Sequence, residues 1–434
     1  MRVSVIGTGY LGATHAAAMA ELGHEVVGVD VDAGKVARLQ AGEVPFFEPG
    51  LQELVGRHVG GGRLRFTTSL AEGVAESRVH FVCVPTPQKR GEFAADLSYL
   101  DAAVGALVPR LSPGSVVVGK STVPAGTAAR LAEVICAAGG ELVWNPEFLR
   151  EGYAVQDTLR PDRIVVGVRG RDGLAAMREV YAPILAGQVP LIVTDYTTAE
   201  LVKVAANSFL ATKISFINAM AEICEVAGAD VVKLSEAIGY DARIGHRFLH
   251  AGLGFGGGCL PKDIRAFMAR AGELGVDQAL TFLKNVDEIN LRRRARMVDL
   301  ARELCEESFA GVRVGVLGAA FKPNSDDIRD SPALDVAVTI QKAGAAVRVY
   351  DPQAMGNAKN DYPTLAYAPS AYEACRDADV VLHLTEWQEF RDLDPHEFGK
   401  VVTHRNIVDG RNALNADTWR AAGWTFRALG RPRT

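Results

Sequence analysis

The densest chemistry in the chain lies in ten residues, Gly254-Phe255-Gly256-Gly257-Gly258-Cys259-Leu260-Pro261-Lys262-Asp263. Glycine tolerates positive φ and lets a backbone approach a ligand, so the run reads as a tight loop carrying Cys259 into a cleft. Pro261 suits the first turn of a helix, which places Cys259 near a helix N-terminus. There, with Lys262 adjacent, the thiol is expected to ionise below its free value of about 8.5 and act as a nucleophile. The same ten residues also fit a glycine-rich turn before a helix, with an inert buried cysteine. Upstream, residues 198–226 have a helical pattern that is apolar on most faces. Lys203 and Asn207 interrupt it at i, i+4 and so share one face. A lysine buried there would need a partner. The alternative is a solvated strip on an amphipathic helix. Helical patterns at 230–238 and 263–274 flank the Cys259 loop, and Arg243-Ile244-Gly245 precedes it.

The elements that position these groups begin at the N-terminus. A strand over residues 2–6 runs into Gly7-Thr8-Gly9-Tyr10-Leu11-Gly12 and an alanine-rich helix to about Leu22. A second strand over 25–29 then closes on Asp30. This is the strand, GxGxxG, helix, strand, acid order of a dinucleotide-binding unit. Gly7 makes the turn, Gly9 admits the pyrophosphate and Gly12 packs helix on strand. Asp30 is expected to bind ribose hydroxyls and repel a 2′-phosphate, which favours NAD over NADP. Further strands are expected at 79–84, 115–119, 141–144, 163–168 and 191–194. Ligands of a doubly wound sheet bind beyond the carboxyl ends of its strands, so Thr86, Ser121, Thr122 and Glu147 point at cofactor or substrate. Each also fits a helix cap or a turn.

The last third reads as a second doubly wound unit. Strands are expected at 311–318, 346–350, 379–384 and 406–409, with a helix at 332–343. Gly315 and Gly318 do not form GxGxxG, so no second dinucleotide is expected. Lys322, Arg329 and Arg411 follow strands, where they suit phosphate or carboxylate groups. Gly356, Asn357, Asn360 and Pro363 mark residues 353–363 as a loop without an assigned role.

The bulk numbers exclude several classes. A chain of 434 residues with 48% hydrophobic and 23% charged residues has the composition of an ordinary globular protein of two or three domains. A net charge of -5 gives no reason to expect a nucleic-acid partner, and Arg292-Arg293-Arg294 reads as a solvated helix face. The six cysteines show neither close pairing nor metal-ligand spacing, so no metal is expected and most should be packed as small apolar groups in a reducing cytosol. The strand pattern at residues 1–6 argues against a signal peptide, and no run of about 18 apolar residues suggests a membrane span. The expected location is cytoplasmic.

Together these residues resemble the UDP-glucose/GDP-mannose dehydrogenase family over essentially the whole chain. The likeness is carried by the N-terminal fingerprint, Val44-Pro45-Phe46-Phe47-Glu48-Pro49-Gly50, and Asn145-Pro146-Glu147-Phe148-Leu149. It continues through the Lys203/Asn207 helix, the Cys259 loop and Phe321-Lys322-Pro323 to Arg329. The resemblance implies an α/β fold of two Rossmann-like domains, an NAD-binding one at 1–197 and a nucleotide-sugar-binding one at 301–434. A helical linker and dimerisation region at 198–300 would join them. It implies oxidation of the C6 primary alcohol of a nucleotide sugar to a carboxylate with two NAD per sugar, UDP-glucose to UDP-glucuronate first among the candidates. The same chemistry on dTDP-glucose, GDP-mannose or UDP-N-acetylmannosamine stays open.

Roles follow from the resemblance residue by residue. Cys259 attacks the C6 aldehyde, giving a thiohemiacetal and then a thioester. Lys203 and Asn207 stabilise the C6 oxygen, Asp263 positions Lys203 and a water, and Glu147 with Thr122 activates the hydrolytic water. Thr86, Ser121, Thr122, Glu151, Lys262 and Arg329 join Gly7, Gly9, Tyr10, Leu11, Gly12, Asp30 and Lys35 as cofactor residues. Phe148, Leu149, Arg150, Phe248, Phe255 and Gly256 are implied substrate contacts, as are Lys322 and Arg411. Arg243 resembles an arginine lent to the neighbouring subunit's site, which implies a homodimer. Gly258 stands where serine is frequent and His250 where some members have lysine; both bear on which nucleotide sugar fits. Two other readings compete. A two-electron β-hydroxyacid dehydrogenase needs neither Cys259 nor a second α/β domain, and an inactive NAD-binding scaffold has no reason to keep Lys203, Asn207, Cys259 and Asp263 together.

Overall fold

The computed structural model describes residues 1–75 and 77–432. The chain forms two compact units, one of residues 1–206 and 265–275, the other of residues 207–264 and 276–434. In the first unit the strands are β1 (Arg2–Ile6), β2 (Glu25–Val29), β3 (Leu64–Thr67), β4 (Val79–Val82), β5 (Val116–Gly119), β6 (Glu141–Trp144), β7 (Ile164–Gly167) and β8 (Leu191–Thr194). They form one sheet in the order β3-β2-β1-β4-β5-β6-β7-β8. All neighbours are parallel except β6 and β7, which meet antiparallel at Trp144 and Gly167. β4, β5 and β7 are buried along their whole length because both faces are covered. Val116 and Val118 face one core with Val3 and Val5, while Val117 faces the other with Ile6 and Trp144.

The helix Tyr10–Glu21 follows β1, and Ala13, Ala16, Ala17 and Ala20 on it are fully buried. Small side chains let this helix lie close on the sheet, so its N-terminus is held at the end of β1.

The second unit repeats the strand order of the first six strands. Its strands are β9 (Arg313–Leu317), β10 (Ala346–Tyr350), β11 (Ala366–Tyr367), β12 (Val380–His383), β13 (Asn406–Asp409) and β14 (Thr425–Ala428). Their order is β11-β10-β9-β12-β13-β14, all parallel. In each sheet the chain reverses direction of growth beside the first strand, the place where such sheets bind ligands.

The helix Tyr196–Ala227 has 32 residues and runs from the first unit into the second. At 1.5 Å per residue it is about 48 Å long. The helix Leu260–Glu273 begins immediately after Cys259, as the proline at its second position anticipates. Among the described residues no helix is long and apolar enough to cross a membrane.

Two expectations are corrected. Residues 353–363 are not simply a loop, because Met355–Asp361 is helical. Ala354 and Ala358, one turn apart, are both fully buried. The Asp351 carboxylate accepts the Gln353 and Ala354 N–H groups at 2.9 Å and starts the turn. The turn formers therefore sit on its exposed side.

Nor is Arg292-Arg293-Arg294 a solvated face. It lies in the helix Thr281–Glu303, where only Arg292 is exposed. Arg293 is 1% exposed and ion-paired to Glu225 at 2.7 Å. Arg294 is buried against Asp330 at 2.9 Å and Asp335 at 3.3 Å.

Glu225 also takes Arg296 at 2.7 Å and the Gly430 N–H at 2.8 Å. Burial alone would raise its pKa, but the charge of Arg293 and these hydrogen bonds outweigh burial and hold the carboxyl below its ordinary range. A carboxyl whose folded-state pKa lies below the unfolded one contributes stability that is complete above the unfolded pKa and is lost as pH falls through the folded one. Glu225→Ala leaves the buried Arg293 guanidinium only the more distant Glu222, at 3.8 Å, and should cost up to about 3–5 kcal/mol. Urea unfolding at pH 7 should show a loss on this scale that shrinks at acid pH. A change within the range of surface substitutions would contradict the assignment.

Candidate active site

In the first unit the turn after β1 is built to hold an anion. Gly7 has φ +86°, where only glycine is unstrained, and a side chain on Gly12 would strike the Gly7 carbonyl. A Cβ on Gly9 would meet nothing within 4 Å, so the backbone there is open to a ligand. The helix that follows has no side-chain cap and no acid in its first turn, leaving its N–H groups available for a phosphate. At the end of β2, Asp30 Oδ2 accepts the Thr8 N–H at 2.8 Å and Lys35 Nζ at 3.0 Å, and Oδ1 accepts the Asp32 N–H at 3.1 Å. Burial pushes the Asp30 pKa up, but these hydrogen bonds and Lys35 outweigh it and hold the carboxylate ionised. Oδ1 keeps a lone pair for a ribose hydroxyl. The donor set fits the pyrophosphate and ribose of a dinucleotide.

The ends of β4, β5 and β6 are tied together. Thr86 Oγ1 donates to the Thr122 carbonyl at 2.7 Å, and Ser121 Oγ donates to the Val84 carbonyl at 2.6 Å. These bonds join the strand ends into one rim. Glu147 Oε2 accepts the Leu149 N–H at 2.7 Å, and Glu147 Oε1 lies 2.8 Å from Lys203 Nζ. Phe148 lies beside this pair, with Arg163 stacked 3.9 Å from its ring centroid. Arg150 is exposed and forks onto Asp157. Glu151 is buried.

Three groups here have no role assigned from the sequence. Lys120 is buried at the end of β5 and donates to the Asn145 side-chain oxygen at 3.1 Å, while Tyr181 donates to the same oxygen at 2.7 Å. Burial pushes the Lys120 pKa down. Glu48 is buried, bonds the Tyr10 hydroxyl, and accepts the Gly152 and Ala154 N–H groups at 2.6 and 2.7 Å. It thus links the dinucleotide turn to the segment that carries Glu151.

In the second unit Cys259 caps its helix, its carbonyl accepting the Asp263 N–H at 2.9 Å. Cys259 is exposed. Burial instead pushes Cys83 up to about 12 and Cys305 up to about 11, so neither serves as a thiolate. Asp263 is 1% exposed; it accepts Asn207 Nδ2 at 2.7 Å and Lys262 Nζ at 2.6 Å. Lys203 and Asn207 are one turn apart on the long helix, as the spacing implies.

The loop before Cys259 is walled on several sides. Side chains on Gly256, Gly257 and Gly258 would strike the Asp330 carbonyl, the Phe321 ring and the Arg329 guanidinium. Arg329 is exposed and forks onto Asp327. A serine at position 258 would therefore need only this flexible guanidinium to move. Arg411 donates to the carbonyls of Leu384, Gly254 and Phe321 at 2.7, 2.9 and 3.0 Å. Three of its five N–H groups therefore fasten the backbone. Phe248 has φ +64°, a strained conformation for an aromatic residue of the kind that gathers at ligand sites. Arg243 is exposed and paired with Asp241, and Lys322 lies over the Phe321 ring.

The second sheet handles its nucleotide-like turn differently. Asp351, at the end of β10, stands where Asp30 stands in the first sheet. Its Oδ2 accepts the Ala319 and Ala320 N–H groups and Trp387 Nε1 at 2.8–3.0 Å. Asp351 thus repeats at Ala319 the bond that Asp30 makes to Thr8, and it closes the next N–H, that of Ala320, as well.

Comparison with known proteins bears on all three stretches. Residues 1–185 match the NAD binding domain of the UDP-glucose/GDP-mannose dehydrogenase family, residues 197–292 its central domain and residues 315–416 its UDP binding domain. A UDP-glucose 6-dehydrogenase of Rhizobium meliloti (strain 1021) is 44% identical over 438 residues, covering 100% of both chains. The structure of a UDP-glucose dehydrogenase from Pyrobaculum islandicum has a TM-score of 0.90 at 37% identity, over 99% of this chain and 98% of that one. That of a UDP-D-ManNAc dehydrogenase from Pyrococcus horikoshii has a TM-score of 0.87 at 27% identity, with both chains fully covered. The chain belongs to the UDP-glucose/GDP-mannose dehydrogenase family.

Proposed function

We propose that the chain is an NAD-dependent UDP-glucose 6-dehydrogenase that oxidises the C6 alcohol of UDP-glucose to a carboxylate. The observation that carries this reading is an exposed cysteine capping a helix, with the Asp263–Asn207 pair on the same unit and the Lys203–Glu147 pair on the other. UDP-glucose is preferred over UDP-N-acetylmannosamine because the full-length relative at 44% identity is a UDP-glucose 6-dehydrogenase, while the UDP-D-ManNAc dehydrogenase structure stands at 27%. The functional segments are 1–197 for NAD, 198–300 for the cysteine loop and dimerisation, and 301–434 for the nucleotide sugar.

The turn Gly7–Gly12 and the N–H groups of Tyr10 and Leu11 would hold the NAD pyrophosphate, and Asp30 the ribose. Lys35, Thr86, Ser121, Glu151, Lys262 and Arg329 would complete its surroundings. Bound NAD supplies the hydride acceptor for both oxidations. The chain's own residues do the rest. Asn207 has one amide hydrogen on Asp263, which leaves the other for the C6 oxygen. Lys203, fixed by Glu147, is a second donor to the same oxygen and stabilises charge developing there. An aldehyde has no hydroxyl to oxidise until a nucleophile adds to it. Cys259 Sγ adds to C6, giving a thiohemiacetal whose oxygen takes the same two donors. Oxidation leaves a thioester, and Glu147 accepts a proton from the water that hydrolyses it, with Thr122 orienting that water. Phe148, Leu149, Arg150, Phe248, Phe255, Gly256, Lys322 and Arg411 are the proposed sugar-nucleotide contacts.

The assembly is proposed to be a homodimer formed through the long helix. Phe209, Phe216 and Ile223 recur every seven residues along it and are 67%, 49% and 58% exposed. Such a stripe matches the seam of a packed helix pair. Arg243 would reach the partner's site.

Replacing Asp30 by Ala should lower kcat/KM for NAD about 10–100-fold, the scale of one charge-assisted hydrogen bond, and narrow the gap to NADP. Comparable wild-type kcat/KM values for the two cofactors would contradict Asp30's role. Wild-type enzyme should yield two NADH and one acid per sugar with no aldehyde in the medium. Cys259→Ala should cut acid formation about a thousandfold or more. Near wild-type acid production by that variant would reduce Cys259 to a packing residue. Mixed Arg243→Ala and Cys259→Ala subunits should regain activity that neither has alone. No recovery after verified subunit exchange would rule out a shared site.

A further inference from the structure

The mechanism leaves Asn290 and Arg294 without a part, although both are buried and both end on the cysteine loop. They stand one turn apart on the helix Thr281–Glu303. Asn290 Oδ1 accepts the Phe255 N–H at 2.7 Å, and Asn290 Nδ2 donates to the Phe255 carbonyl at 2.9 Å. One side-chain amide thus pairs with both backbone groups of one residue, as a neighbouring strand would. Arg294 donates to the same carbonyl at 3.4 Å and ion-pairs with Asp330. The Asp330 carbonyl is in turn the wall against Gly256. A side chain on Gly254 would strike Asn290 itself, and the Gly257 N–H is held by the Arg329 carbonyl at 2.8 Å. The backbone from 254 to 258 is therefore held by one helix on one side and by residues 321–330 on the other. Cys259 is the next residue.

We propose that Asn290 is a positioning residue for the second oxidation: by pairing with both backbone groups of Phe255 it holds the glycine run so that Cys259 meets the aldehyde before the aldehyde escapes. This rests on the thioester reading above. The first oxidation needs no thiol, so at saturating UDP-glucose, where a weakened contact through Phe255 no longer limits the rate, an error in the position of Cys259 falls on the second step alone. A general weakening of the fold would lower both steps together.

The test is the partition between aldehyde and acid in the full-length enzyme with UDP-glucose and NAD, the aldehyde being trapped with a hydrazine. Asn290→Asp keeps the acceptor for the Phe255 N–H and loses the donor to its carbonyl. Asn290→Gln keeps both groups on a chain one methylene too long. Misplacement of a reacting group on the ångström scale slows its step by about a hundredfold. Both variants should therefore release trapped aldehyde as a major product while the first hydride transfer keeps a near wild-type rate. Hydrogen exchange in peptides spanning 254–258 should be faster, a readout that needs no turnover. The wild type serves as the control: aldehyde release there contradicts the thioester reading, not this inference. With an intact wild type, the inference is overturned if folded Asn290→Asp and Asn290→Gln still give two NADH per sugar and no trapped aldehyde. A proportional loss of both oxidations overturns it equally, since that is the pattern of a purely structural residue.

Discussion

A buried charge persists only beside a partner, and this constraint organises the molecule. Lys203 is 5% exposed, and Glu147 lies 2.8 Å from its ammonium. Asp263 is 1% exposed, with Asn207 and Lys262 on its carboxylate. An unpaired ion in either place would neutralise itself or destabilise the fold. Pairing satisfies both, and the proposed chemistry draws on these same groups: an ammonium to hold an oxyanion, and a carboxylate that fixes an amide donor beside it. The same rule applied without chemistry gives the Arg293–Glu225 pair, which fastens the helix Thr281–Glu303 to the long helix.

Two sheets of the same strand order have been put to different uses by small changes at their strand ends. After β1 the turn is glycine-rich and Asp30 takes only the Thr8 N–H; after β9 Asp351 takes both the equivalent Ala319 N–H and the Ala320 N–H that follows. The acid at the end of β2 keeps a lone pair free, whereas the acid at the end of β10 is saturated by donors from its own chain. The fold supplies a ligand-binding edge in both cases. Local hydrogen bonding decides what that edge can hold.

Much of this was readable in advance, and the failures share one cause. The GxGxxG turn, the helix start after Cys259 and the Lys203/Asn207 face are local patterns, and local patterns survive folding. Arg293 and Arg294 looked like a solvated face because their partners lie elsewhere in the chain, Glu225 being 68 residues from Arg293. Asn290 was invisible for the same reason, since Phe255 is 35 residues away. Lys120 follows three valines and Gly119, a place where a strand ends in a turn, yet the bond to Asn145 and the burial of both make it an interior lysine. The helix at Met355–Asp361 was missed because its turn formers are exposed while its buried alanines are unremarkable in sequence. Periodicity tells which face is buried; it cannot tell what waits there.

The central claim is that the sugar becomes covalently attached at position 259 between its two oxidations. Intact-protein and peptide mass spectrometry on the Cys259→Ser variant, incubated with UDP-glucose and NAD, tests it most directly. An oxygen ester hydrolyses more slowly than a thioester, so the attached intermediate should accumulate. The account predicts a UDP-glucuronyl mass added to the peptide bearing residue 259 and removed by hydroxylamine. An unmodified peptide together with undiminished formation of the acid would contradict it.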